Sequence, residues 1–190
     1  SKEIIELILS YNIIISAGHS NATYQEAMWG FENGITAATH LYNAMSPLQH
    51  RQPGLTGAAM DHSSAMASII PDGYHVDFAA IRIAKKAMND RLFAITDAVT
   101  ETTEGYYQHQ LSGDKFVASG TLSGSALTMV KALENLVNQA GIDLAEALRM
   151  CSLYPARVMK MDSRLGKIEK NYDARFTILD KVFRTVTVIS

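Results

Sequence analysis

Cysteine, tryptophan and proline are scarce in this chain of 190 residues, which holds one, one and four of them. With Cys151 alone, neither an internal disulfide framework nor a multi-cysteine zinc site can be built, and a reduced, cytoplasmic setting is expected. A charge bias is also missing. Seventeen Lys and Arg face nineteen Asp and Glu, for a formal charge of -2. Without a block of like charge, neither nucleic acid nor an anionic membrane is an expected partner. No apolar run reaches the roughly 18 residues of a membrane span, and residues 1–12 lack the basic, apolar and small-residue succession of a secretory signal. Internal repeats and low-complexity segments are absent too. What remains, 47% hydrophobic and 19% charged residues, suits a folded domain with a sizeable core.

Short apolar runs rich in Ile, Val and Ala alternate with stretches of helical period, the pattern of βα units around a parallel sheet. Strands are predicted at residues 12–17, 34–39, 65–70 and 92–96, each nearly continuous in apolar character, as strands covered on both faces should be. A helix over residues 23–33 begins near Ser20, Asn21 and Thr23 and ends at Gly34. Another, over 77–88, takes Asp77 as its cap. Tyr106–Gln110 and Lys115–Ala118 read as a hairpin turning at Ser112–Asp114. Leu127, Val130, Leu133, Leu136 and Val137 mark the buried face of a helix over 125–139. Asp143 caps a further helix that stops before Pro155. Residues 176–179 and 182–189 read as β. The fold class is therefore α/β, with residues 1–160 as βα units and 161–190 as a small β layer. Four strands are too few to close an eight-stranded barrel and leave two apolar edges unpaired, so the chain is expected to be a fragment.

Polar residues follow each predicted strand: His19 and Ser20, then His40, then Asp72 to His75, then Asp97. In a parallel α/β barrel such positions share one face, where active sites are assembled. Three imidazoles and a carboxylate suit a divalent metal able to acidify bound water. His50, His62 and His109 stand outside this pattern and read as ordinary surface or core residues. The nine methionines read as gap-filling core, and Cys151 as buried and inert.

Five segments, in order, carry a resemblance: Ser16-Ala17-Gly18-His19-Ser20-Asn21-Ala22, Thr39-His40-Leu41-Tyr42-Asn43-Ala44-Met45, Asp72-Gly73-Tyr74-His75-Val76-Asp77, Thr96-Asp97-Ala98, and Gly120-Thr121-Leu122-Ser123-Gly124-Ser125, continued by Tyr154-Pro155-Ala156-Arg157. They resemble the consecutive signatures of the N-acetylglucosamine-6-phosphate deacetylases, within the amidohydrolases. The resemblance implies the C-terminal half of a (β/α)8 TIM-type barrel and part of a small β-sandwich layer, whose missing N-terminal half supplies a Glu ligand. It implies a divalent metal on His19 and His40, with zinc, iron, manganese and cobalt not distinguished. Asn43, the Ala44 backbone and Arg51 are then expected at the substrate phosphate, with Arg51 reaching across a homodimer interface. His75 is expected at the sugar, and Leu122, Ser123 and Gly124 as a loop lining its pocket. Asp97 becomes the catalytic acid and base. The chemistry implied is hydrolysis of N-acetylglucosamine 6-phosphate to glucosamine 6-phosphate and acetate in amino-sugar catabolism.

Arg175 stands where the family's tail carries an Asp, a departure confined to the β layer. Two rivals remain. One is another amidohydrolase chemistry, such as a dihydroorotase, dipeptidase or base deaminase, which the phosphate clamp of Arg51 and Asn43-Ala44 argues against. The other is a non-catalytic sugar-phosphate binding fragment.

Overall fold

The computed structural model describes residues 1–105 and 108–189. Its centre is a parallel sheet of four short strands, β1 Ser16–Ala17, β2 Ala37–Ala38, β3 Met66–Ile69 and β4 Leu92–Ala94, paired in chain order. Each lies inside a predicted run but is shorter, because ladder pairing spans only two or three partners per strand pair. All residues of β2, β3 and β4 are buried, which is why their sequences, Ser68 excepted, are apolar without alternation. Parallel pairing in sequence order requires a return connection after each strand. Helices supply much of each return: α2 Tyr24–Glu32, α3 Gly54–Asp61 and α4 Phe78–Met88. All four C-terminal strand ends consequently share one edge.

Local chemistry explains most helix starts. Thr23 and Glu26 form a reciprocal capping box at the start of α2. Asp77 accepts from the Ala79 amide to open α4, as the sequence predicts. Two helices before β4 are additions to the sequence reading. One, α1 Lys2–Ser10, buries only Ile5; the other, α3, is made largely of small residues, and Gly54 through Ala59 are all buried.

The excursion after β4 is a three-stranded antiparallel sheet, β5 Gln110–Ser112, β6 Lys115–Ala118 and β7 Thr121–Ser125. The predicted first hairpin strand is displaced: Tyr106 and Tyr107 lie outside the described residues, and Gln110 to Ser112 pair with Val117 to Lys115 around Gly113-Asp114. Ser125 closes β7, so the following helix, α5 Met129–Asn138, starts later than its periodicity suggests, at the Thr128 cap. The helix predicted up to residue 153 ends two residues earlier, and a further helix absent from the sequence reading follows it. After α6 Leu144–Cys151, capped by Asp143, comes α7 Leu153–Val158. Pro155 does not prevent α7 because it sits in the first turn, where no intrahelical amide is needed.

The main core gathers residues of the strands, of α2 to α4, and of α5 to α7. Ile69, Ile81, Met88, Leu92, Leu136 and Met150 are fully buried there, and truncating any to Ala costs about 2–5 kcal/mol. Beneath it, Lys85 of α4 and Glu146 of α6 form an ion pair, and Glu146 also binds Arg149 and the Tyr154 hydroxyl. The C-terminal β8 Phe176–Leu179 and β9 Thr185–Ile189 pair antiparallel. Every residue of β9 is exposed, among them Val186 and Val188. An apolar groove of about 690 Å3 lies between α5, α6 and β8, lined by Leu133, Leu148, Cys151 and Phe176 among others. No helix among the described residues is long and apolar enough to cross a membrane.

Candidate functional site

His19 and His40 each lie two residues past a strand end, β1 and β2, and the pairing of those strands brings them together. Their ring centroids are 4.8 Å apart, inclined by 66°. His40 is 5% exposed, whereas His19 is exposed. Backbone contacts fix both. The Thr39 amide donates to the Ala17 carbonyl at 2.7 Å, the Ser20 amide to Ala44 at 3.0 Å, and the Ser46 amide to Ser20 at 3.0 Å, so the two loops are laced together. From the third strand, the buried Ser68 hydroxyl accepts from the His40 amide at 2.7 Å. Gly18 is required at this crossing, since a Cβ there would stand 2.9 Å from that of Thr39.

Three of the residues predicted to carry chemistry share a backbone signature. His19, His40 and Asp97 have φ values of 46°, 37° and 48°, a left-handed conformation that L-residues adopt at a cost of about 1–3 kcal/mol when the surroundings over-determine it. Each sits just beyond a strand, where the chain must turn sharply to present its side chain at the sheet edge. Such strain gathers at functional positions.

One feature inside this cluster bears on metal binding. The Nδ1 of His40 is the single buried side-chain nitrogen or oxygen among the described residues without a hydrogen-bond partner. An orphaned buried nitrogen costs about 1–3 kcal/mol, and the His19 imidazole stands beside the ring that carries it. Two neutral imidazoles are donors of the type a divalent transition metal takes. They are not a complete set: among the described residues no group of three His, Cys, Asp or Glu stands close enough to hold an ion.

The predicted phosphate residues divide. Asn43 and Ala44 lie on the His40 loop, where the Asn43 amide donates to the His40 carbonyl at 2.9 Å and Ala44 adopts a φ of 47°. Arg51 is exposed and lines a cavity of about 330 Å3 with Asn21 to Gln25, Ser46, Pro47, Gln49 and Gln52 to Gly54, a lining that does not include Asn43 or Ala44.

After β3, His75 is held by Asp72. The two side chains meet at 2.6 Å, between His75 Nδ1 and Asp72 Oδ2, with 11% and 2% exposed. Asp72 Oδ1 also accepts the Tyr74 and His75 amides at 2.9 and 2.8 Å. Burial pushes the Asp72 carboxyl up, but the hydrogen bonds from His75 and Tyr74 outweigh it and leave the acid below its usual range.

Asp97 is exposed beyond β4. Its carbonyl accepts from the Ser125 amide at 3.3 Å, and the Val99 amide donates back to Ser125 at 3.1 Å, which docks β7 onto this edge. Leu122, Ser123 and Gly124 therefore stand in β7 and not in a loop, a correction with a simple cause: they pair with β6 through Val117↔Leu122 and Phe116↔Gly124. Gly124 also needs its missing side chain, since a Cβ would lie 2.5 Å from Val99.

Sequence reasoning passed over three supporting residues. Ser68 was legible as the lone polar residue in an apolar strand. Asp72 stood in the right segment, but its partner was unassigned. His109, read as ordinary, joins Ser123 through Nδ1 and Oγ at 2.9 Å. His62 is structural, its ring nitrogen accepting the Ala65 amide at 2.9 Å. Cys151 is partly buried beside the apolar groove, and burial pushes its thiol up to about 12.

Comparison with known proteins bears on this arrangement. The profile of the amidohydrolase family matches residues 3–189. An N-acetylglucosamine-6-phosphate deacetylase of Haemophilus influenzae is 38% identical over 188 residues, covering 93% of this chain and 49% of the relative. An N-acetylgalactosamine-6-phosphate deacetylase of Escherichia coli O157:H7 is 34% identical over 177 residues, covering 89% and 47%. The crystal structure of N-acetylglucosamine-6-phosphate deacetylase from Pasteurella multocida superposes with a TM-score of 0.94 at 38% identity, over 99% of this chain and 52% of that one. The chain spans about half the length of the curated relatives it matches. With strand-end histidines held at one sheet edge and the family profile matched along nearly all of its length, this chain belongs to the amidohydrolase family.

Proposed function

We propose that this chain is the C-terminal half of the (β/α)8 barrel of an N-acetylglucosamine-6-phosphate deacetylase, residues 1–160, followed by strands of its small β-sandwich layer, 161–190. The observation that carries the reading is the His19–His40 pair with its unpartnered buried nitrogen. The relatives' names supply the substrate. The coverage of about half of each relative, the two sheet edges β1 and β4, and the exposed apolar β9 support a further N-terminal part of the same polypeptide.

In this reading His19 and His40 hold a divalent cation, zinc, iron, manganese or cobalt, together with a Glu from the N-terminal part. When bound, such an ion supplies Lewis acidity, which polarises the acetamide and acidifies water. The remaining work falls to the chain's own side chains. Asn43 and the Ala44 backbone hold the phosphate, joined by Arg51 across a homodimer interface. His75 orients the sugar, and Leu122, Ser123 and Gly124 line its pocket from β7. Asp97 takes a proton from the attacking water and returns it to the sugar nitrogen as the C–N bond breaks, so that water and amide become acetate and glucosamine 6-phosphate. One carboxylate serves both half-steps.

Acetate release decides between this and the rivals. The full-length polypeptide is expected to hydrolyse N-acetylglucosamine 6-phosphate in a metal-dependent way, ahead of the galacto epimer and of amides without phosphate. The 190-residue chain alone is expected to be inactive, because two ligands hold a metal far less tightly than three. Preference for the galacto epimer moves the substrate assignment to the second relative's sugar. Activity of the isolated chain sinks the fragment reading.

A further inference from the structure

We propose that Asp72 is a positioning residue that acts through His75, fixing the imidazole's tautomer and orientation so that Nε2 is the atom offered to the substrate. This rests on the function proposed above and goes beyond it, since no role in the reaction has been given to Asp72. The geometry is that of a carboxylate orienting a histidine. Asp72 Oδ2 lies 2.6 Å from His75 Nδ1, on side chains that are 2% and 11% exposed. An ionised carboxylate only accepts, so the proton between the two atoms belongs to Nδ1. In the neutral form of the ring, Nε2 then carries no proton, and Nε2 makes no hydrogen bond among the described residues.

The carboxylate is itself immobilised. Its Oδ1 accepts two successive backbone amides, from Tyr74 and His75. The residue before it, Pro71, is pinned from behind by the buried Asn135, whose amide donates to the Pro71 carbonyl at 2.9 Å. Gly73 turns with a φ of 79° against the Phe78 ring, where a Cβ would come within 2.9 Å. Asp72 thus has no alternative rotamer that keeps these bonds, and His75 inherits that rigidity. A histidine meant to contact a sugar needs this, because a ring free to flip exchanges donor for acceptor.

Asn at position 72 separates tautomer control from mere shape. Its Oδ1 still accepts the Tyr74 and His75 amides, while its Nδ2 donates to Nδ1 and moves the ring proton to Nε2. The experiment combines nitrogen-15 NMR of labelled histidines in the full-length polypeptide with a double-mutant cycle on deacetylation of N-acetylglucosamine 6-phosphate. The His75 signals are assigned by their loss in His75→Gln. The wild-type ring is expected to hold its proton on Nδ1 and the Asp72→Asn ring on Nε2. Asp72→Asn is expected to lower kcat/KM by about tenfold or more, yet to change it less than about twofold in the His75→Gln background.

An unchanged tautomer, or equal losses in both backgrounds, overturns the proposal in favour of a purely structural turn. Should the variant not fold, Asp72→Glu and the wild-type spectrum keep the question open to a decision: a wild-type ring protonated on Nε2 alone is incompatible with Asp72 as its orienter. A wild type without deacetylase activity sinks the functional reading but not the tautomer assignment, which the spectra read independently.

Discussion

The rings of His19 and His40 meet edge-on with centroids 4.8 Å apart, while the buried Nδ1 of His40 has no hydrogen-bond partner among the described residues. The pair is therefore expected to carry the metal. In the full-length polypeptide, His40→Asn should weaken binding of a divalent ion by roughly a hundredfold or more, and Ser68→Ala, which frees the His40 amide, by about tenfold. Calorimetric titration of the apoprotein with zinc measures both. Unchanged affinity in His40→Asn removes that residue from the site.

Asp97→Asn preserves shape but can neither accept nor return a proton. Turnover should fall by about 10²–10⁴-fold with KM and metal content little changed. Steady-state kinetics paired with metal analysis gives the answer, and near-normal turnover would refute the role of Asp97.

Arg51 is exposed and lines a cavity apart from Asn43 and Ala44. If it completes the phosphate clamp across a dimer interface, Arg51→Ala should lower kcat/KM about tenfold or more for the phosphorylated sugar. Plain N-acetylglucosamine should be barely affected. Equal losses for both sugars point to a structural arginine instead.

Acid should unfold this chain through Asp72 and Glu146. For Glu146, burial pushes the carboxyl up, but the bonds from Lys85, Arg149 and Tyr154 outweigh it, and the net value lies below the usual range, as it does for Asp72. Groups depressed in the folded state stabilise it above their unfolded values, about 3.9 for Asp and 4.3 for Glu, and that stability is lost as pH falls through the folded values. Stability should hold from neutral pH down to about 4.5 and then decline. Glu146→Gln, which leaves Lys85 unpaired, should cost about 1–3 kcal/mol at pH 7 and flatten the decline, as urea midpoints against pH can show. A decline of unaltered steepness in both Glu146→Gln and Asp72→Asn rules these two groups out as its cause.

Much of the fold was legible because its causes are local. Thr23 with Glu26, Asp77 and Asp143 are caps that act within three residues, and unbroken apolar runs mark strands buried on both faces. The order of polar residues after those strands by itself puts His19, His40 and Asp97 at one edge. Boundaries were less legible, since Ser125 suits a helix start but is held in β7 by its bonds to Asp97 and Val99. Pairing with β6 turned the expected loop at Leu122 to Gly124 into a strand.

What the sequence determined by itself was therefore the α/β class, the motif order and the identities of the residues expected to carry chemistry, all of which depend on neighbours a few positions away. Only the tertiary structure decided which of them meet. The lacing of Ser20 to Ala44, the Ser68 bond to His40, the closeness of two histidines from different loops and the rigid hold of Asp72 on His75 all depend on strand register or on left-handed turns. Periodicity does not encode either. A side chain's partner across a sheet is set by how the whole core packs, and no pattern in the chain records that distance.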